Sequence, residues 1–334
     1  MKIAIDAMGG DNAPSAIISG SLKALREIKS EIILVGKEEI IKSELEKHTK
    51  DFKRIDIVNA NEVIINEDKP VQAIRKKKNS SMAVGFDLLR KNEAQSFVSA
   101  GNTGALLAGS LLKIGRIKGI DRPALAPIYP TKKGFSLLID AGANADCKPR
   151  NLLEFGIMGS IYLEKVLNIR TPKVGIVNIG TEEGKGNKLV SEAYEVMKNS
   201  NLNFYGNLEA REVPDGVVDV IVCDGFVGNV ILKLTEGVAM NLTSMLKETF
   251  TKNTISKIGA MILKGGLKEF KSKLDYTEYG GAPLLGVKKP VIKAHGSSND
   301  KAIKNAIKYG EIFSSKGVIE KIEEEIKGAD NIEE

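Results

Sequence analysis

The stretch NIGTEEGKGN, Asn178 to Asn187, sets a lysine between two glycines directly after an apolar run. Gly184 and Gly186 bring no side chains that would shield Lys185, and an exposed ammonium can hold a phosphate as a point charge. The spacing is not that of a Walker A loop. That loop needs four residues between its glycine and the Gly-Lys pair, then a Ser or Thr for magnesium. Here only Thr181, Glu182 and Glu183 intervene, and Gly186 follows the lysine. The pattern argues against a magnesium nucleotide and for a free anion held by Lys185 and the amides of Gly184, Gly186 and Asn187. In the competing reading Lys185 is a solvated lysine neutralised by Glu182 or Glu183.

Four further turns have the same character: MGGDNAP, SAGNTGA, DAGANAD and CDGFVGN. Each joins a strand-like run to a helical pattern through Gly, Asn, Asp or Thr. Glycine lets backbone N–H groups approach an anion, and a helix N-terminus adds partial positive charge. One such turn is only a turn. Five together predict a shared phosphate site lined by Gly9, Gly10, Asp11, Asn102, Thr103 and Asn144. From the last turn, Asn229 is expected as a catalytic amide and Asp224 as the residue that orients a neighbour. The first turn lacks the GxGxxG spacing of a dinucleotide site. Near the C-terminus, KAHGSSND puts His295 beside Ser297, which suits proton transfer or a phosphate contact.

These turns need a scaffold that gathers them. Short apolar runs (2–8, 31–36, 54–60, 96–101, 135–143, 173–180, 219–225 and 290–296) alternate with helix-period segments. Such alternation predicts a three-layer α/β, Rossmann-like fold with a mainly parallel central sheet. In open sheets of that kind ligands bind at the carboxyl ends of the strands. The chain reads as one catalytic domain over 1–334. Residues 227–273 break the rhythm with two successive helical patterns and are expected as an inserted helical hairpin. Its second helix carries Ile258, Met261 and Ile262 among lysines, which suits an anionic membrane surface, a dimer interface or plain core packing.

Composition narrows the classes. The 334 residues carry a formal net charge of +6, 42% hydrophobic residues and only 5% aromatic residues. The basic run Arg75, Lys76, Lys77 and Lys78 has no interleaved aromatics, so nucleic-acid stacking is not expected. Two cysteines far apart and two histidines predict no metal site, no disulfide framework and no cofactor. No apolar stretch approaches the ~20 residues of a membrane span, and the N-terminal run is too short for a signal peptide. A cytoplasmic protein is expected.

The ordered set IAIDAMGGDNAP, SAGNTGA, DAGAN, NIGTEEGKGN, DGFVGN and YGGAPLLGVKKPVIKAHGSS is similar to the bacterial phosphate acyltransferases of phospholipid synthesis. The resemblance runs from residue 1 to about 320. It implies transfer of a long fatty acyl chain from acyl carrier protein to inorganic phosphate, giving acyl phosphate. It implies a fold akin to the isocitrate/isopropylmalate dehydrogenase group, and a homodimer peripherally associated with the cytoplasmic membrane. Acyl carrier protein is acidic, so Arg75 to Lys78 become its expected dock. The glycerol 3-phosphate acyltransferase, which uses the product, is a further expected partner. A phosphotransacetylase-like enzyme using coenzyme A is the rival reading. The chemistry suits the residues. Phosphate is already anionic, and a thiolate leaves without a strong acid. The enzyme must mainly hold two reactants and stabilise an oxyanion.

Overall fold

In a computed structural model, residues 1–48, 52–267 and 280–330 are described. The predicted alternation is present. The first half runs β1 (Lys2–Asp6), α1 (Ser15–Ala24), β2 (Glu31–Gly36), α2 (Glu38–Glu46), β3 (Ile55–Asn59), α3 (Pro70–Lys76), α4 (Ser81–Arg90), β4 (Ser96–Ser99) and α5 (Thr103–Gly109). A π-helical turn follows over Ser110–Ile114. Next come β5 (Ala124–Leu125), β6 (Ile128–Thr131), β7 (Gly134–Ile139), α6 (Pro149–Leu167), β8 (Val174–Asn178), α7 (Lys188–Lys198), β9 (Phe204–Glu209) and β10 (Val220–Val222). The chain continues through α8 (Gly225–Thr251), α9 (Thr254–Ile262), β11 (Ala282–Leu285), β12 (Val291–Lys293), α10 (Asp300–Ser315) and α11 (Val318–Asp330).

The strands divide between two sheets. One has the order β3-β2-β1-β4-β12-β11-β5 and the other β6-β7-β10-β8-β9. In the first, β3, β2, β1, β4 and β12 are parallel, while β11 is antiparallel to both its neighbours. In the second, β7, β10, β8 and β9 are parallel and β6 pairs antiparallel with β7. The division follows the chain path. β5 closes the edge of the first sheet, the next strand opens the second, and the chain returns only at β11. One strand-by-strand hydrophobicity reading cannot see this, because buried parallel strands look alike in either sheet.

The strands are the apolar runs because both faces of each sheet are covered. Ile3, Ile5, Ile32, Leu34 and Val98 are essentially inaccessible and pack with Ile17, Ile18, Ile303 and Ile307 of α1 and α10. On the opposite face α4 buries Met82, Phe86 and Leu89. Phe86 meets Phe97 of β4 edge to face, with centroids 5.0 Å apart, a favoured aromatic geometry. The basic run Arg75 to Lys78 thus ends α3 and precedes α4, and Ala73, Ile74, Met82, Phe86 and Leu89 of these helices are buried against the sheet.

The expected helical pair begins with α8 and α9, joined through Asn253, whose side chain accepts from Ser256 N. Unlike the helices on the sheets, these two leave most of their large apolar residues in the open, although Val227, Ile231 and Leu232 pack on the second sheet's core. Phe226, Leu234, Met240 and Met245 of α8 are 67%, 65%, 71% and 61% exposed, and Ile255 and Ile262 of α9 about 80%. Lys268, Lys271 and Lys273 of the expected hairpin lie outside the described residues. No described helix is long and apolar enough to cross a membrane.

Candidate active site

Four of the five polar turns, those after β1, β4, β7 and β10, converge where the carboxyl ends of the two sheets face each other. The first turn is stitched to the last. Asp11 N donates to Gly296 O at 2.8 Å, and Asn12 Nδ2 donates to Ser297 O and Ser298 O at 3.1 and 3.2 Å. Gly10 has φ +99°, and a Cβ there would stand 2.9 Å from Ala100 Cβ and 3.0 Å from Gly296 O. Only glycine accepts that backbone at no cost. Below it, the buried Asp6 carboxylate accepts from Ser99 Oγ at 2.7 Å and Met8 N at 3.2 Å. Burial pushes the Asp6 carboxyl above its ordinary range, against those bonds.

The second sheet contributes a turn built on Asp140, which is fully buried. Its carboxylate accepts from Leu125 N (2.9 Å), Ala143 N (3.2 Å), Asn144 N (2.6 Å) and Asn144 Nδ2 (3.0 Å). Burial raises its pKa to about 6. Helix α8 starts on this turn, capped by Asp224, whose carboxylate accepts from Val227 N at 2.9 Å.

Two cavities lie in the crevice. The first, about 300 Å³, has an apolar wall of Leu125, Pro127, Ile128 and Leu232, faced by Asn229, Lys233, Lys293 and His295. The second, about 270 Å³, is lined by Gly10, Asp11, Ala100, Gly101, Asn102 and Gly296. Thr103 and Lys293 belong to both. His295 Nε2 is 3.3 Å from Lys233 Nζ, and its Nδ1 is 2.8 Å from Ser297 Oγ. Burial, then the Lys233 charge, lowers the His295 pKa, so the ring is neutral at neutral pH. Lys233 is itself held by Glu236 at 2.8 Å. Asn229 stands over Gly142, and among the described residues its amide has no hydrogen-bond partner.

The structure therefore brings together Gly10, Asp11, Asn102, Thr103, Asn229, His295 and Ser297. Gly9 lies beneath them; a Cβ there would be 2.4 Å from Asp6 Oδ2. Other expected residues have work in holding the turns. Asn102 caps α5 by accepting from Ala105 N and donates to Ile65 O and Asn66 O. Asn144 is buried and donates to Pro123 O at 2.7 Å. Asn187 caps α7. Lys185, with Gly184 and Gly186, is exposed on the turn after β8, one strand further out than Asp224, and lines neither cavity. Of the two expected neutralisers, Glu182 and Glu183, the second is engaged elsewhere: it accepts from Tyr194 Oη at 2.8 Å and pairs with Lys198 at 2.6 Å. Among the described residues Lys185 has no ion pair. Burial pushes the Cys147 thiol up to about 12 and that of buried Cys223 higher than its ordinary value, so neither is a ready thiolate.

Sequence reasoning passed over Lys233 and Lys293. Lys293 sits in the quoted KAHG run, but a lysine ending an apolar run gives no sign that it will be buried. Lys233 is one of several lysines on a long helix, and only the fold turns it toward His295.

A family model for the fatty acid synthesis proteins matches residues 1–321. The chain belongs to this family. It is 62% identical over 324 residues to a phosphate acyltransferase of Alkaliphilus oremlandii, covering 97% of each chain. It is 57% identical to a phosphate acyltransferase of Thermoanaerobacterium thermosaccharolyticum, covering 98% of this chain and 97% of that one. Among solved structures, a phosphotransacetylase from Streptococcus pyogenes aligns with a TM-score of 0.65 at 18% identity over 94% of both chains. A 4-hydroxythreonine-4-phosphate dehydrogenase from Klebsiella pneumoniae aligns at 0.54 and 12% identity over 94% of this chain and 99% of that one. At such identities the likeness is one of fold, and it covers both sheets.

Proposed function

We propose that this protein is a phosphate acyltransferase that moves a long-chain acyl group from acyl carrier protein to inorganic phosphate. The observation that carries the reading is the crevice itself, an apolar wall facing a neutral imidazole, two lysines and an amide without a hydrogen-bond partner among the described residues, in a chain 97% of which aligns with a phosphate acyltransferase. A phosphate oxygen attacks the thioester carbonyl, the O–C bond forms, and the C–S bond breaks with the sulfur leaving as thiolate. Asn229 donates to the developing oxyanion, and Lys233 with His295 holds the phosphate. Lys185 meets the anionic reactants at the rim. No proton needs to leave phosphate before attack, so a strong base is unnecessary.

Acyl carrier protein as donor is supported by charge. Arg75, Lys76 and Lys78 are exposed at the end of α3, which packs on α5 beside the second cavity, while Lys77 is held by Asp68 at 2.5 Å. The assay is phosphate-dependent release of carrier-protein thiol, with acyl phosphate trapped by hydroxylamine. Activity with the acylated carrier is expected to exceed that with acyl-coenzyme A and to fall steeply as salt rises. Preference for the coenzyme A donor, with no salt dependence, would transfer the reading to the phosphotransacetylase type.

The exposed apolar residues of α8 and α9 support a homodimer through α8 and contact with an anionic membrane through Ile258, Met261 and Ile262. Surface of this kind is rarely left to water on a monomer. The protein is expected to float with anionic vesicles, and the double substitution Ile258→Ser, Ile262→Ser to abolish flotation while the dimer persists. Flotation unchanged by the pair would remove the membrane role from this helix.

A further inference from the structure

Lys293 is the last residue of β12 and is only 8% exposed. It lines both cavities and so stands where they meet. Its ammonium donates to Ala100 O at 3.3 Å and to Ala294 O. An ammonium carries three hydrogens. Two go to these carbonyls, and among the described residues the third has no acceptor. A buried cation with an unmet donor is costly unless something anionic completes it. The carboxylates nearest in effect, Asp6 on β1 and Asp11 on the turn beyond it, act on Lys293 through space, and no hydrogen bond joins either to it.

We infer that Lys293 is a catalytic residue of this crevice, its third hydrogen directed at the oxyanion formed when phosphate attacks the thioester. The inference rests on the acyltransferase reading and adds to it the cation at the reacting centre. It also gives the two cavities separate tasks. The apolar-walled one takes the acyl thioester, the glycine-walled one admits the phosphate to Lys233 and His295, and the bond forms above Lys293. As C–O bonding develops, negative charge moves onto the carbonyl oxygen, the ammonium meets it, and the charge passes to sulfur when the thiolate departs. The lysine keeps its proton throughout, so no acid or base beyond the reactants is consumed.

Charge on Lys293 is then a condition of turnover. Burial, and next in strength among the opposing influences the Lys233 ammonium, lower its pKa to about 8, while Asp6 and Asp11 work to raise it. Glu236 and neutral His295 complete the titratable lining of the first cavity. The ammonium is present below that pKa and lost as pH rises through it, so activity must fall on the alkaline side.

The test is the pH dependence of kcat for acyl phosphate formation. Wild type is expected to lose activity as pH rises through about 8. Lys293→Arg, with a guanidinium that stays charged, is expected to retain at least about a tenth of the activity and to lose that alkaline limb. Lys293→Met is expected to lose about 10²–10³-fold in kcat with KM for phosphate changed much less, and to bind phosphate in isothermal titration. A wild-type profile flat from about pH 7 to about pH 10 overturns the inference, whatever the variants do. So does a Lys293→Met enzyme within about threefold of wild type, or an Arg variant with an unshifted alkaline limb. Absence of acyl phosphate from wild type itself would instead refute the acyltransferase reading.

Discussion

Replacing Asn229 by alanine is expected to lower the turnover of acyl phosphate formation by about 10²-fold while leaving the melting midpoint close to that of wild type. The side chain lies in the second turn of α8, is exposed to the crevice, and has no hydrogen-bond partner among the described residues. Removing it therefore breaks nothing in the fold. A preorganised donor aimed at a developing oxyanion is worth more than its ground-state bonds, because it acts only as charge appears. The loss should fall on kcat rather than on KM for phosphate. Steady-state kinetics with saturating acylated carrier protein separates the two. Equal kcat in the variant and wild type would take Asn229 out of the mechanism.

The neighbouring substitution Gly228→Ala is expected to act through the fold. A Cβ at this position would stand 1.9 Å from Asp140 O and 3.0 Å from Cys223 Sγ. Neither is the far end of a flexible side chain. The first is backbone of the turn whose carboxylate organises residues 140–144, and the second is a buried sulfur at the end of β10. The helix must shift away, and overpacking of this kind costs about 3 kcal/mol. Because Asn229 and Lys233 ride on the same helix, turnover should also fall, by about 10²-fold for a displacement near 1 Å. Thermal denaturation and kcat are measured on the same preparation. Native stability with full activity would mean that α8 is not seated on the Asp140 backbone as described.

The site was legible in proportion to how local its signals are. Glycine-rich turns at strand ends are written in consecutive residues, and MGGDNAP, SAGNTGA, DAGANAD and CDGFVGN all reach the crevice or its supporting turns. Their individual duties were not legible. Asn102, Asn187 and Asp224 have the composition of anion ligands and also that of helix caps, and the structure seats each as a cap. Lys185 drew attention through its glycine neighbours, whereas Lys293 and Lys233, with ordinary neighbours, line the cavity. A lysine's burial depends on what packs over it from elsewhere in the chain.

By itself the sequence determined the α/β class, the positions of eight strands and the family. Periodicity and turn chemistry are local, and an ordered set of turns is specific. Only the tertiary structure decided that the strands form two sheets, that the crevice lies between their carboxyl ends, and that Lys293 rather than Lys185 stands where both cavities meet. Those facts follow from pairings between residues far apart, such as Val291 with Phe97 and Leu284 with Leu125. Such contacts are set by the packing of whole elements, which no short stretch of residues encodes.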